Sequence, residues 1–316
     1  MTTERVNGAD MADPAPRRSL FRALLEGRTR REVAAEGTPE APVVVSGPKW
    51  GDRVGLAAVL LVGLLILQEV IRNPNFKWHV VFDYLFEPTV LRGLGLTIWL
   101  TVAAMAIGIA LAVILAVMRM APQLWLRLPA VTYLWFFRGT PLLVQLIFWY
   151  NLAFLFPEIT IRIPFGPVLY SGSANDLITP YTAALLGLAL NEGAYMAEIV
   201  RSGIMSVDKG QQEAARALGM TNSRILWRIV LPQAVRIIIP PTGNQTIGML
   251  KMTALVSVIA MYDLLYAVQT ISSRTFDTIP MLIVACLWYL LLTSVMTFLQ
   301  GRLEKRFEPK GEGARP

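Results

Sequence analysis

Six apolar stretches, each close to 20 residues long, constrain this chain more than any other feature. They fall at about 54–71, 95–118, within 128–156, 180–200, 240–261 and 279–300. A helix rising about 1.5 Å per residue needs about 20 apolar residues to cross the hydrocarbon core of a bilayer. Backbone polar groups in lipid must be satisfied internally, and barrel strands would alternate rather than run continuously apolar. The composition agrees, because 54% of the 316 residues are hydrophobic and 16% charged, against roughly a quarter charged in a soluble domain. The expectation is an all-α, polytopic membrane protein with about six transmembrane helices.

The stretches divide the chain. Residues 1–53 read as a cytoplasmic, largely disordered tail, with Arg17-Arg18, Arg28, Arg30-Arg31 and scattered prolines. A short helix is expected near 20–25. No apolar segment follows these charges before Val54, so they do not read as a signal peptide. Residues 54–72 form an extra membrane helix, 90–303 the main transmembrane domain, and 304–316 a cytoplasmic C-terminal tail. Lys and Arg set the orientation. Residues 1–53, 119–127, 201–236 and those beyond 301 hold 22 of the 29, whereas Arg72, Lys77, Arg92, Arg162 and Arg274 supply five on the other side. The bias predicts both termini in the cytoplasm. Cys286 and His79 are each the single residue of their kind. That excludes a disulfide framework within the chain and any Cys- or multi-His metal cluster. The net charge of +7 reads as loop charge, with no aromatic-basic module for nucleic acid.

One cytoplasmic segment stands out between two spans: EAARALGMTNSRILWRIVLP, residues 213–232. Its pattern predicts two short helices. The first starts near Asp208 and carries Ala214, Ala217 and Leu218 on one face. Gly219 then supplies a left-handed residue. Thr221 caps the second helix, which places Ile225, Leu226, Ile229 and Val230 opposite Arg224 and Arg228, and Pro232 ends it. On physical grounds alone, an amphipathic loop on lipid headgroups and a docking knob fit about equally.

The spacing Glu213-Ala214-Ala215, three residues, Gly219, nine residues, Ile229, one residue, Leu231-Pro232 resembles the signature of bacterial ABC importer permeases. Phe137-Arg138-Gly139-Thr140-Pro141-Leu142, the run 192–201 and Leu250-Lys251-Met252-Thr253-Ala254-Leu255 are similar to the polar amino-acid branch of that family. Met252 stands where the branch often has a small polar residue. The resemblance covers residues 90–303. It implies a permease subunit of an ATP-driven importer of polar amino acids in the bacterial inner membrane. Glu213, Ala214, Ala215, Gly219, Ile229, Leu231 and Pro232 would then engage a separate ATPase. It also implies two ATP-binding subunits, a second permease copy or a paralogue, and an extracytoplasmic solute-binding protein. No cofactor is expected on this chain, since ATP and Mg would sit on the partner.

Charged residues within spans carry an insertion cost of about 2.5–3.5 kcal/mol or more. Glu192 and Lys251 both fall near mid-bilayer, by their distance from their span entrances. Two readings stand: they pair to hold the bundle together, or they line the path of the solute. Asn191, Tyr195 and Glu198 share one helix face, as do Asn244, Gly248, Lys251 and Leu255. Glu192, Tyr195, Asn244, Lys251 and Thr253 are the path candidates. Glu198 and Arg201 form an ordinary i, i+3 ion pair. Arg138 is placed at the cytoplasmic surface by a span beginning at Thr140-Pro141, the former as N-cap. Trp125, Trp135, Trp149 and Tyr150 read as interfacial aromatics. The chain has no GxxxxGK[ST] phosphate loop, HExxH or GxSxG, so it is not expected to be an enzyme. An ATP-independent secondary transporter, which would favour internal repeats, and a membrane scaffold are the alternatives.

Overall fold

The computed structural model describes residues 50–163 and 166–307. Residues 1–49 of the expected N-terminal tail, its short helix and the last nine residues lie outside that range, whereas 50–53 and 304–307, expected in the tails, belong to the first and last helices. Two compact units meet at Asn73/Pro74. The first contains helix α1 (Trp50–Arg72), in which residues 54–67 form an unbroken apolar run with every side chain exposed.

The second unit begins with a short 3₁₀ turn and α2 (Trp78–Leu85). It continues through α3 (Pro88–Met120), α4 (Leu124–Gly139), α5 (Leu142–Tyr150) and α6 (Leu152–Leu155). A two-stranded antiparallel hairpin follows, β1 (Glu158–Arg162) and β2 (Val168–Ser173), then α7 (Ala174–Leu177) and α8 (Pro180–Met205). Next come α9 (Lys209–Ala217), α10 (Asn222–Ile225), α11 (Leu231–Met252), α12 (Leu264–Thr275) and α13 (Thr278–Phe307). The protein is all-α and polytopic, with the hairpin as a small addition. Four helices are long and apolar enough to cross a membrane, or six if two bent pairs each count as one span.

Local chemistry sets the helix starts. Glu87 caps α3 by accepting from Thr89 N at 2.6 Å and Val90 N at 3.2 Å, with Pro88 just inside. Thr179 and Thr182 form a reciprocal capping box at the head of α8. Asp263 caps α12, which the apolar pattern did not anticipate, by accepting from Tyr266 N at 2.9 Å.

The core centres on α3 against α8. Ala104, Gly108 and Ala112 face Ala189, Gly193 and Ala197, all buried. Small residues let helix backbones approach closely in a membrane, where apolar bulk gains little over lipid. A Cβ on Gly108 would lie 2.8 Å from Glu192 Cγ, and one on Gly193 2.8 Å from Leu111 Cδ2. Leu100, Leu146, Leu188, Met196 and Met249 complete this cluster. A second joins α2, α3, α12 and α13 through Val81, Val90, Leu264, Met281 and Val284.

The break expected at Thr140-Pro141 is present, since α4 and α5 meet there at 103°. Three expected details differ. Thr140 does not cap α5. Its hydroxyl donates back to Phe136 O at 2.8 Å, and Pro141 occupies the cap position. The fifth span does not begin at Pro240, since α11 starts at Leu231 and runs through Pro240 and Pro241. Neighbouring helices make interior prolines tolerable in such spans. Pro232 does not end the preceding helix either. Residues Leu226–Val230 form a π-helix in which Leu231 N–H donates to Leu226 O, five residues back. Proline has no N–H for the usual i→i−4 bond, and the widened turn carries the chain past it.

Candidate functional site

The segment 208–232 folds as a helix-turn-helix. Asp208 accepts from Gln211 N at 3.1 Å and starts α9. Gly219 has φ +77°, the left-handed region. Its N–H donates to Arg216 O at 2.9 Å and that of Met220 to Ala215 O at 3.1 Å. This bond pair is a Schellman closure, which satisfies carbonyls at the helix end. Thr221 takes the next N-cap position, but its side chain makes no capping bond. Beneath the turn, Val207, Ala215, Ile225, Val230 and Ala234 form a third buried cluster, with Ile229 and Met220 against it.

The structure decides which face of α9 the bundle covers. Ala215 points inward, whereas Ala214, Ala217 and Leu218 are exposed, Leu218 to 83%. Glu213 and Trp227 are exposed as well. Leu231 is half-buried and Pro232 exposed. One apolar edge thus anchors the turn to the bundle while another stands free.

A polar pocket of about 520 Å³ lies where α4 breaks into α5. It is lined by Arg138, Thr140, Asn191, Tyr195, Gln245 and Met252, with Gly139, Pro141 and Leu142. Amide side chains stitch the break together. Gln145 Nε2 donates to Phe137 O at 3.0 Å and Thr140 Oγ1 at 2.7 Å. Asn191 Nδ2 donates to Phe137 O at 3.1 Å and Gln145 Oε1 at 3.2 Å. The Arg138 guanidinium lies 5.6 Å from the Tyr195 ring centroid, within cation–π range.

Glu192 and Lys251 do not pair. Glu192 is fully buried behind the pocket, accepting from Gln245 Nε2 at 3.1 Å, while its Oε1 has no partner. Lys251 is exposed on α11. Glu192 sits at the middle of α8 as expected, whereas Lys251 falls in the last turn of α11 rather than mid-helix. Thr253 is fully buried, donating to Leu250 O at 2.7 Å, and Asn244 is exposed, accepting from Gln300 Nε2 at 3.0 Å. Of the five path candidates, Tyr195 lines the pocket and Glu192 lies one hydrogen bond behind it. Gln145 and Gln245 were missed, although an amide within an apolar helix is itself a signal.

Glu198 does more than pair with Arg201. It also accepts from Arg119 of α3, and Arg138 Nη1 lies 4.0 Å away. The ends of α3, α4 and α8 that carry these residues are thereby tied together.

Residues 104–309 match the family described as the binding-protein-dependent transport system inner membrane component. The chain belongs to this family. It is a multi-pass inner-membrane permease of the ABC-importer type. The chain is 43% identical over 256 residues to the arginine transport system permease protein ArgU of Corynebacterium glutamicum, covering 80% of this chain and 79% of that one. It is 31% identical over 235 residues to the glutamine transport system permease protein GlnP of Escherichia coli K12, covering 74% and 99%. Among solved structures, it resembles the crystal structure of an amino acid ABC transporter with histidines. The TM-score is 0.60 at 37% identity, covering 70% of this permease and 95% of that chain. Permeases of this family work with ATPase and substrate-binding partners.

Proposed function

We propose that this permease carries a polar amino acid, and that the turn at Gly219 is where a separate ATPase grips it. The observation that carries the reading is the free apolar edge of Ala214, Ala217 and Leu218 on a turn whose other edge is buried. Such a knob is rigid, short and able to bury Leu218 against a partner, while Glu213, Arg224 and Arg228 select its register. Glu213, Ala214, Ala215, Gly219, Ile229, Leu231 and Pro232 build it. Ala215 and Ile229 anchor the knob from beneath, and Leu231-Pro232 connect it to α11.

Two ATP-binding subunits hold two such knobs, one from this chain and one from a second copy or a paralogue. ATP and Mg bind on those subunits, and this chain hydrolyses nothing. Both termini and the knob face the cytoplasm, and a solute-binding protein delivers cargo on the opposite side. Nucleotide biases the bundle between two access states. The pocket bounded by Arg138, Asn191, Tyr195 and Gln245, with Glu192 behind Gln245, suits a zwitterion, whose carboxylate and ammonium need opposite charges. Asn244, Lys251 and Thr253 would join the path only in another access state.

The test is uptake by Gly219→Pro and Glu213→Lys variants. Proline fixes φ near −65° and removes the N–H that bonds Arg216 O. Both variants should reach the membrane at normal abundance and lose uptake. Normal uptake by both would refute the coupling role.

A further inference from the structure

Arg119, Arg138 and Arg201 converge on one carboxylate, Glu198. Three guanidiniums against one acid leave two uncompensated charges. Among the described residues, no other ion pair reaches these three arginines. Arg201 uses both Nε and Nη2 on Glu198, and Arg119 uses Nη1. Arg138 approaches only to 4.0 Å and keeps 42% of its side chain exposed. Most of its five donors remain available.

Arg119 and Arg138 also line a second pocket, of about 340 Å³, with Val131, Leu134, Trp135 and Gly139. Its chemistry is divided: two guanidiniums at one side, apolar and aromatic groups at the other. It opens on α4, whose Leu124, Trp125, Leu128 and Trp135 are exposed, both tryptophans to 73%. A helix bent 103° away from the next and bearing exposed tryptophans is suited to the membrane interface. The last turns of α3 and α8 put the pocket at the end of the bundle from which the α9 turn projects.

We propose that this pocket binds the phosphate of an anionic phospholipid, with an acyl chain along Val131, Leu134 and Trp135. Arginine presents its donors as a planar fork that matches phosphate oxygens, and it sheds its hydration more readily than lysine. A free phosphate offers the same oxygens but leaves the apolar wall uncovered. The anionic surface of the cytoplasmic leaflet adds attraction for the two surplus charges.

The experiment uses the full chain in vesicles of phosphatidylcholine containing brominated phosphatidylglycerol or brominated phosphatidylcholine over the same series of mole fractions. Tryptophan quenching is compared between the unaltered chain and Trp135→Phe, which isolates the signal of Trp135. Brominated phosphatidylglycerol should quench Trp135 at about tenfold lower mole fraction than brominated phosphatidylcholine, as a charge-assisted pair of bonds requires. Arg119→Gln with Arg138→Gln should abolish the preference. Arg138→Lys, which keeps the charge and the ion-pair partner, should reduce it and guards against misfolding of the double variant. Equal quenching by the two lipids, or an unchanged preference in both variants, would overturn the proposal. Inorganic phosphate at millimolar concentration should not relieve the quenching. If it does, the site takes soluble anions and the lipid assignment falls.

Discussion

Glu192 shows how much a single buried acid asks of its surroundings. It has one hydrogen bond, from Gln245, and an Oε1 with no partner, packed under Gly108. A buried group short of partners costs about 1–3 kcal/mol, and such a cost is retained where function uses the group. Gly108→Ala would place a methyl 2.8 Å from Glu192 Cγ. We expect it to destabilise the protein by about 1–3 kcal/mol through overpacking, read as a lower melting temperature in detergent. Glu192→Gln, of equal volume, should leave melting nearly unchanged and reduce uptake severalfold. Equal uptake by Glu192→Gln would remove the acid from the solute path. The depth of Glu192 was legible from its position in an apolar run. Its partner was not, because residues 192 and 245 meet through the rotation of α8 against α11, which no local pattern records. The same holds for Ala215. Helical periodicity grouped Ala214, Ala217 and Leu218 correctly on one face but could not say which face the bundle would cover.

Between residues and bundle, the instructive element is the run from α10 through the π-turn to α11. The proline at 232 reads locally as a stop, and the rule it breaks is real: the N–H is missing. The structure instead widens the preceding turn to an i→i−5 pattern and continues. A junction of this kind sets the rotation of the knob relative to α11. Pro232→Ala restores the N–H and lets the turn relax to α geometry, a change of one residue in register, or about 100° of rotation. We predict that ATPase subunits still bind the variant, while stimulation of ATP hydrolysis by the solute-binding protein falls sharply. Full stimulation in a reconstituted complex would contradict the role given to the π-turn. By contrast, the Gly219 closure was legible, since glycine at the end of an amphipathic run has a specific backbone use. The bend between α4 and α5 was legible as Thr140-Pro141, yet its stabilising amides were not, because Gln145 and Asn191 act across elements.

For the whole molecule, apolar length carried the architecture. α1, α3, α8 and α13 are where continuous hydrophobicity placed them, and the family match over 104–309 spans the helices that hold both candidate sites. On the proposed coupling, this bundle moves solute only when nucleotide-driven partners move its knob. The direct measurement is solute accumulation in vesicles, with the purified permease alone under an imposed proton or sodium gradient, and again with its ATPase, ATP and solute-binding protein. No accumulation is expected in the first case and uphill uptake in the second. Concentrative uptake by the permease alone, driven by the ion gradient, would contradict that coupling.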